Sequence, residues 1–316
     1  MIDLASTVII ANPTSGAGRV AAQWDAIMAA LRQHLGHVEV LKTGGPGDGA
    51  RLARAAVERG ARTLLSMGGD GTHNEVVNGI MAAGPAPGEI RLGILPAGTG
   101  GDFRRLLRGG QDIDTSIEAL ASPTAHPIDL IRVDFREDDG TPAQRHFLNM
   151  ASFGMGGLIC RIANASSKRL GGKATFFLAT VLAWTRYRTA AVRVSVDGVL
   201  VGDFHVSNVM VANGQFSGGG MWMAPHARLG DGLLDVLIIR KANALAEARL
   251  FNALYTGEHI PSPHITCLSG RTVTMEVVNG RRAWIDLDGE APGILPATAT
   301  VVPGAIELLN ALPDAL

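Results

Sequence analysis

The chain has 316 residues, with 28 Lys and Arg against 29 Asp and Glu and a formal net charge of −1. Nucleic-acid binding needs a surplus of positive charge to neutralise phosphates, so this balance argues against a nucleic-acid partner. The two cysteines exclude a disulfide scaffold and a cysteine-rich zinc site. At roughly 100–200 residues per domain, the length indicates about two domains.

The N-terminal sequence MIDLASTVIIANP lacks the basic start and the long apolar core of a secretory signal, so we expect a cytoplasmic protein. The most apolar long stretch, residues 175–184 (TFFLATVLAW), is shorter than the roughly 20 residues that span a bilayer. We interpret it as a buried helix or pocket wall, with an interfacial helix as the alternative. Transient contact with a membrane surface therefore stays open.

The first part of the chain alternates predicted strands and helices. Hydrophobic periodicity predicts strands over 7–11, 38–43, 63–67 and 91–96, and helices over 19–35, 48–59, 73–81 and from 102 to 107. Strands that recur every roughly 25–30 residues are typical of βαβ units in a parallel sheet. We therefore expect an α/β domain over residues 1–128.

The pattern changes after residue 128. Short segments rich in Val, Ile and Thr follow, and several alternate as AVRVSVDG does, which predicts antiparallel strands. Helical stretches interrupt them at about 156–187 and 242–257. We expect a mostly β domain over 129–303. The last segment, 304–316, contains GAIELLNAL and is predicted as a helix that folds back on the first domain.

Glycine is unusually abundant. It accounts for 40 of the 316 residues, about 13% of the chain, against a usual share of about 7%. Four clusters follow the predicted strands of the first domain: Gly16 and Gly18; Gly44 and Gly45; Gly68, Gly69 and Gly71; Gly98, Gly100 and Gly101. Open parallel sheets bind ligands beyond the carboxyl ends of their strands, so these loops are expected to converge and wrap a ligand with their N–H groups. Ordinary turn chemistry is the alternative.

The ligand is constrained by the loop sequences. The pattern Gly16-Ala-Gly18-Arg-Val-Ala21 fits a dinucleotide fingerprint, but the acid expected at the end of the second strand is misplaced, so a Rossmann dehydrogenase is a minor alternative. There is no Walker A sequence. In GGDGTHNE (68–75), Asp70 would repel phosphates unless a cation such as Mg²⁺ lay between them. Asp70 thus indicates a metal–nucleotide site or a turn cap.

A second acidic motif lies near the C-terminus. WIDLDGE places Asp286, Asp288 and Glu290 at alternate positions, which on one strand would face the same side. Phosphoryl transfer needs a group that accepts the proton of the acceptor hydroxyl, and a carboxylate can be that base. The alternative is a polar hairpin, because Asp-Gly is a common turn pair.

The ordered set of NPTSG (12–16), GGDGTHNE (68–75), PAGTGGDF (96–103) and DGE (288–290) resembles the diacylglycerol kinase catalytic domain family, which includes sphingosine, ceramide and bacterial lipid kinases. GGDGT alone is shared with NAD kinases, so a NAD kinase-like enzyme for a soluble acceptor is one alternative. Gly101 stands where the family usually has Asn. That departure supports the other alternative, a binding module without turnover.

The resemblance implies a nucleotide-binding domain similar to those of NAD kinases and phosphofructokinases, followed by an antiparallel β-sandwich, with ATP and Mg²⁺ as cofactors. By the same resemblance, Asp70 is the Mg²⁺–ATP carboxylate, Glu290 the general base and Asp288 a supporting acid. A structural Mg²⁺ site falls on Asp231 and the carbonyls of Arg228 and Leu233. The implied nucleotide site comprises Asn12, Pro13, Thr14, Ser15, Gly16, Thr43, Gly68, Gly69, Gly71, Thr72, Asn74, Glu75, Gly98, Thr99 and Asp102.

The function implied is an ATP-dependent lipid kinase that transfers the γ-phosphate to a hydroxyl of a diacylglycerol-like or sphingoid lipid. Its expected partners are that lipid substrate and, transiently, the membrane surface that holds it. A homodimer is compatible with the sequence.

Overall fold

The computed structural model describes residues 6–98, 100–108, 112–166 and 172–313. The chain divides into two compact units. Unit 1 runs to Leu130 and adds Leu229–Asp231 and the segment from Pro303 onward, whereas unit 2 comprises Ile131–Arg228 and Gly232–Val302. These bounds lie close to the sequence-based boundaries at 128 and 303, and the return of 229–231 to unit 1 is the feature that the sequence pattern did not predict.

Unit 1 contains the predicted parallel sheet. Strands β1 (Thr7–Ala11), β2 (Glu39–Lys42), β3 (Thr63–Gly68) and β4 (Arg91–Pro96) lie in the order β2-β1-β3-β4, and every pairing is parallel. Strands β1 and β3 are buried along their whole length, as expected for the interior of a parallel sheet. The sequence prediction of a parallel α/β domain is confirmed.

Helices follow each of these strands. Helices α1 (Arg19–Ala22) and α2 (Trp24–Leu35) follow β1, α3 (Asp48–Glu58) follows β2, and α4 (Asp70–Ala82) follows β3. After β4 come a 3-10 turn (Phe103–Leu106) and α5 (Ile113–Ala121), a helix that the sequence analysis missed. Helix α4 begins at Asp70 rather than near His73, so the third glycine loop leads directly into a helix N-terminus.

Unit 2 is antiparallel. Its strands are β5 (His126–Arg136), β6 (Pro142–Phe147), β7 (Met150–Gly154), β8 (Ala190–Val196), β9 (Val199–Ala212), β10 (Phe216–Ser217), β11 (Met221–Trp222), β12 (Leu234–Arg240), β13 (Ile265–Gly270), β14 (Thr272–Val277), β15 (Trp284–Leu287) and β16 (Glu290–Leu308), of which β5 and β16 also contribute residues to unit 1. Six of them close a ring in the order β7-β9-β8-β14-β16-β15, with β15 pairing back to β7. Their inward side chains form the main core of the unit.

Three helices accompany these strands: α6 (Met155–Ala165), α7 (Gly172–Arg186) and α8 (Ala244–Ala253). The predicted helical stretches at about 156–187 and 242–257 thus correspond to a pair of helices and a single shorter one. None of the helices in the described part of the chain has the length and hydrophobicity of a membrane-spanning segment.

The prediction of a C-terminal helix over GAIELLNAL is wrong. The end of β16 adds a further parallel strand to the sheet of unit 1, where Glu307 and Leu308 pair with Arg91 and Leu92. The Asn310 side chain continues the ladder, because it accepts from the Ile94 N–H at 2.7 Å and donates to the Ile94 carbonyl at 3.0 Å. The backbone groups at the edge of β4 need hydrogen-bond partners, and the end of β16 supplies them. This tertiary contact overrides the local helix propensity of GAIELLNAL.

Candidate active site

Four glycine loops, which we number in chain order as 12–18, 43–49, 68–75 and 96–103, meet at the carboxyl edge of the parallel sheet. The Asn12 side chain donates from Nδ2 to Thr72 Oγ1 at 3.1 Å and so joins the first loop to the third. The Ala97 N–H donates to the Gly68 carbonyl at 2.7 Å and joins the fourth loop to the third. The predicted convergence of the loops is confirmed.

The first loop forms a turn of consecutive left-handed residues. Gly16, Ala17 and Gly18 have φ of 64°, 58° and 87°, and the Gly18 N–H donates to the Thr14 carbonyl at 3.2 Å, which closes the turn. Asn12 shapes the approach to this turn, because its Oδ1 accepts from Thr14 N at 3.0 Å and from Thr14 Oγ1 at 2.8 Å. Two of the predicted nucleotide residues, Asn12 and Thr14, therefore hold the conformation of the first loop.

The third and fourth loops meet backbone to backbone. A Cβ added to Gly98 would stand 2.6 Å from the Cα of Gly69, and one added to Gly16 would stand 2.5 Å from the Ala97 carbonyl oxygen. Both distances are below any real Cβ contact, so these positions require glycine. The result is a surface of bare backbone at the N-terminus of α4, where N–H groups and the helix dipole favour a phosphate.

Asp70 is the first residue of α4 and the carboxylate of this surface. Its Oδ2 accepts from the Asp102 N–H at 3.1 Å, so it anchors the fourth loop. Burial raises the pKa of Asp70, and backbone N–H groups of the fourth loop, with the Arg104 charge, oppose that shift. The anchoring role is therefore structural fact, while the magnesium role stays a prediction.

Glu75 holds the second loop in place. Its Oε1 and Oε2 accept from the backbone N–H groups of Gly47 and Gly49, each at 2.8 Å. Thr43 lies at the start of the same loop and donates its N–H to the Ala11 carbonyl at 2.8 Å, beside the first loop. The sequence assigned Glu75 to the nucleotide, and the structure gives its carboxylate a positioning role that no sequence signal revealed.

His73, in the third loop, is buried. Its Nδ1 is 2.8 Å from Ser66 Oγ on β3, and desolvation lowers its pKa to about 3, which keeps the ring neutral. Asn74 is buried beside it. Helical periodicity explains this placement. The first turn of α4 directs some side chains toward the sheet, while its N–H groups lie at the third loop.

The fourth loop contains the departure from the family pattern. Gly101 has a φ of 71°, in the left-handed region that Gly and Asn both adopt readily. The backbone conformation at this position therefore suits either residue. Thr99, predicted to line the same site, lies outside the described residues.

In unit 2, the interpretation of Asp286, Asp288 and Glu290 as residues of one strand is wrong. Asp288 and Gly289 have φ of 48° and 91° and form a two-residue turn between β15 and β16, and Leu287 pairs with Glu290 across it. Asp-Gly adopts this left-handed pair readily, so turn chemistry overrides the strand alternation. Glu290 is exposed at the start of β16.

Asp288 ties this hairpin to the segment before β7. Its carboxylate accepts from the backbone N–H groups of Leu148 at 2.8 Å, Asn149 at 3.2 Å and Met150 at 2.8 Å. Such bonds favour the ionised carboxylate and fix its direction. Asp288 thus fixes the turn that leads directly into Glu290.

Asp286 is a half-buried acid that the sequence analysis placed among the candidates without a role. Its Oδ1 accepts from the Gly289 N–H at 2.8 Å, while Cys160 on α6 donates its thiol to the Gly289 carbonyl at 2.7 Å. Burial, together with the nearby negative charge of Asp288, raises the pKa of Asp286 to about 7. Burial likewise raises the pKa of Cys160. Both groups hold the peptide that precedes Glu290.

The structural magnesium site implied for Arg228, Asp231 and Leu233 stays a prediction. All three residues are exposed, and Asp231 supplies the one carboxylate of the set. Within the described ranges, no group of three or more His, Cys, Asp or Glu side chains is placed to hold a metal ion. A site here would depend on backbone carbonyls.

Solved structures share this architecture. A putative diacylglycerol kinase from Bacillus anthracis aligns with a TM-score of 0.78 at 22% identity and covers 100% of this chain and 98% of that one. Yeast NADH kinase complexed with NADH aligns with a TM-score of 0.54 at 12% identity, covering 98% of this chain and 84% of the other. At these identities the likeness shows the fold, which is that of the diacylglycerol and NAD kinases.

Sequence comparisons define the family. The diacylglycerol kinase catalytic domain model matches residues 6–133, and the YegS C-terminal NAD kinase beta sandwich-like domain model matches residues 149–310. A probable lipid kinase YegS-like protein of Chromohalobacter salexigens is 34% identical over 85% of this chain and 83% of its own length. A diacylglycerol kinase of Bacillus subtilis is 29% identical over 91% and 90%. The chain belongs to the diacylglycerol kinase family of phosphotransferases.

Proposed function

We propose that this protein is an ATP-dependent lipid kinase that phosphorylates a hydroxyl of a diacylglycerol-like or sphingoid lipid. The observation that carries the proposal is the bare-backbone surface formed where Gly69 meets Gly98 at the N-terminus of α4, beside Asp70. Its support beyond that surface is the family, whose relatives carry the names diacylglycerol kinase and probable lipid kinase.

The glycine loops of unit 1 are the proposed nucleotide-binding site. The surface suits a phosphate chain, because Gly16, Gly69 and Gly98 carry no side chain and the loops that hold Gly69 and Gly98 meet at the N-terminus of α4. Asp70 is the carboxylate that would hold Mg²⁺ there, since oxygen ligands are those that this ion prefers. When bound, Mg²⁺ would neutralise the negative charge of the phosphates.

Unit 2 supplies the proton acceptor. Glu290 is the exposed carboxylate of the hairpin, whereas Asp288 is committed to three backbone N–H groups. In the proposed reaction the lipid hydroxyl gives its proton to Glu290, its oxygen forms a bond to the γ-phosphorus, and the bond to the β-phosphate oxygen breaks to release ADP. A positioned general base contributes about 10²–10⁴-fold to such a step.

The test is a transfer assay with γ-labelled ATP and Mg²⁺, in which diacylglycerol, sphingosine, total lipid extract and NAD are offered separately. Label in the organic phase is the expected result, and it identifies the acceptor class. Label confined to NAD in the aqueous phase would place the protein with the NAD kinases. Binding of ATP without transfer to any acceptor would contradict the proposal and favour a module without turnover.

A further inference from the structure

Helix α7 leaves most of its large apolar side chains exposed. Four of them lie on one face at helical spacing, with these exposed fractions: Phe177 67%, Leu178 50%, Val181 44% and Trp184 48%. We call this set the α7 face. The interpretation of 175–184 as a buried helix or pocket wall therefore holds only for the opposite face of α7, where Thr175, Ala179 and Ala183 are buried.

The buried face of α7 is built from small residues. Thr175, Ala179 and Ala183 are buried, and the two alanines pack against Ile159 of α6. Phe176 is partly buried against the same cluster, so α7 docks through the alanines and one phenylalanine and leaves four other large apolar side chains exposed. A surface helix normally shows polar residues to water, so a contiguous outward apolar face marks an interaction surface.

The surrounding sequence is strongly basic. Residues 140–196 contain no Asp or Glu, in a chain whose net charge is −1. The same stretch holds eight of the 28 Lys and Arg, namely Arg145, Arg161, Lys168, Arg169, Lys173, Arg186, Arg188 and Arg193. Arg186 and Arg188 are exposed at the C-terminal end of α7, next to Trp184. Arg186 and Arg188 therefore place positive charge at the C-terminal end of α7, and we call these two arginines the positive rim.

The Glu247 carboxylate lies beside this face, and its negative charge is paired with the Lys241 ammonium. Glu247 of α8 accepts from Trp184 Nε1 at 2.9 Å, and both of its oxygens accept from Lys241 Nζ at 2.8 Å. These bonds lower the pKa of Glu247 and keep it paired. The contact also fixes the indole ring with its polar edge toward α8.

We propose that the α7 face, with Arg186 and Arg188, docks the protein on the surface of a bilayer that contains anionic lipids. The apolar side chains enter the boundary between headgroups and acyl chains, Trp184 lies at the interface, and the two arginines meet headgroup phosphates. A second copy of the chain fits this face less well, because a symmetric contact would bring two positive rims together. The inference goes beyond the proposed function, since docking requires no turnover.

The test is co-sedimentation with vesicles of phosphatidylcholine, alone and mixed with phosphatidylglycerol, in the absence of nucleotide. The variant Phe177→Ser/Leu178→Ser should lose at least about tenfold in partition to the mixed vesicles, because it removes apolar area that enters the bilayer. The matched control Val199→Ser/Leu200→Ser removes two side chains that are 69% and 59% exposed on the β8–β9 hairpin, and it should bind like the wild type. Equal loss in both variants, or no binding by the wild type, would overturn the proposal.

A charge variant tests the rim. Arg186→Gln/Arg188→Gln should weaken binding to the mixed vesicles several-fold and lower its salt dependence, whereas Arg51→Gln/Arg54→Gln on α3 should not. Brominated acyl chains should quench fluorescence in the wild type and less in Trp184→Phe. If the wild type does not bind vesicles but forms a dimer that the Phe177→Ser/Leu178→Ser substitutions dissociate, the α7 face is an interface between copies and the proposal is wrong.

Discussion

Gly69 and Gly98 stand so close that a methyl group on Gly98 would lie 2.6 Å from the Cα of Gly69. This contact joins the ends of β3 and β4 and leaves bare backbone at the N-terminus of α4. A phosphate chain can approach N–H groups only where no side chain intervenes, so the two glycines connect the packing of unit 1 to its proposed chemistry.

The variant Gly98→Ala should therefore lose both stability and nucleotide binding. Overpacking against backbone costs about 1–3 kcal/mol, and displacement of the third loop should weaken ATP binding at least about tenfold. Gly45→Ala is the control for stability, because nothing lies within 4 Å of a Cβ there. Denaturant unfolding and ATP titration measure the two effects. A Gly98→Ala protein with wild-type stability and affinity would contradict the assigned contact.

Glu75 should act as a positioning residue of the second loop. Glu75→Gln removes one of two carboxylate acceptors for the N–H groups of Gly47 and Gly49, which should lower the free energy of unfolding by roughly 1–3 kcal/mol. Hydrogen exchange should accelerate at those two amides. Glu58→Gln, which alters an exposed pair with Arg54 on α3, should change stability by less than about 0.5 kcal/mol. Unchanged exchange at Gly47 and Gly49 would argue against this role.

Asp286 should make stability depend on pH. Its pKa is raised from 3.8 to about 7, so the folded state binds more protons than the unfolded state between those values. Stability from this group is present below pH 4 and falls as the pH rises toward 7, by up to about 4 kcal/mol at 1.4 kcal/mol per pKa unit. Asp286→Asn keeps the shape without the charge and should become more stable relative to the wild type as the pH rises from 5 to 8.

His73 acts in the opposite direction, because its lowered pKa makes the folded state lose stability as the pH falls below 6.5. It is present in both proteins, so the difference between Asp286→Asn and the wild type isolates the aspartate. Urea unfolding at several pH values provides that difference. A difference that stays constant from pH 5 to pH 8 would show that Asp286 titrates at its ordinary pKa.

Restoring the family residue in the fourth loop should be tolerated. Gly101→Asn places a residue that accepts left-handed φ at a φ of 71°, and the atom that its Cβ would meet, at 2.6 Å, is the Cδ of the flexible Arg104 side chain. Its free energy of unfolding should stay within about 1 kcal/mol of the wild type, whereas Gly101→Val should lose roughly 1–2 kcal/mol more from backbone strain. Equal losses in both variants would show that Arg104, not φ, limits this position.

Sequence reasoning reached the fold because the signals in unit 1 are local. The spacing of buried strands and the glycines after them predict a parallel sheet with converging loops. It failed where a distant partner decides the outcome. Residues 304–308 form a strand because the edge of β4 accepts them, and Asp288 turns the chain because left-handed backbone suits Asp-Gly. The positioning bonds of Glu75 and Asp288 join residues that only the folded chain brings together.

The central claim is tested most directly by counting γ-phosphate transferred to diacylglycerol or sphingosine by the wild type, Glu290→Gln and Glu276→Gln under Mg²⁺–ATP. Glu276 lies exposed on β14 of the same unit and is the matched control. The account predicts transfer by the wild type and the control, a loss of about 10²-fold or more in Glu290→Gln, and ATP affinity unchanged in all three. Wild-type transfer rates in Glu290→Gln, or no lipid labelling by the wild type, would contradict it.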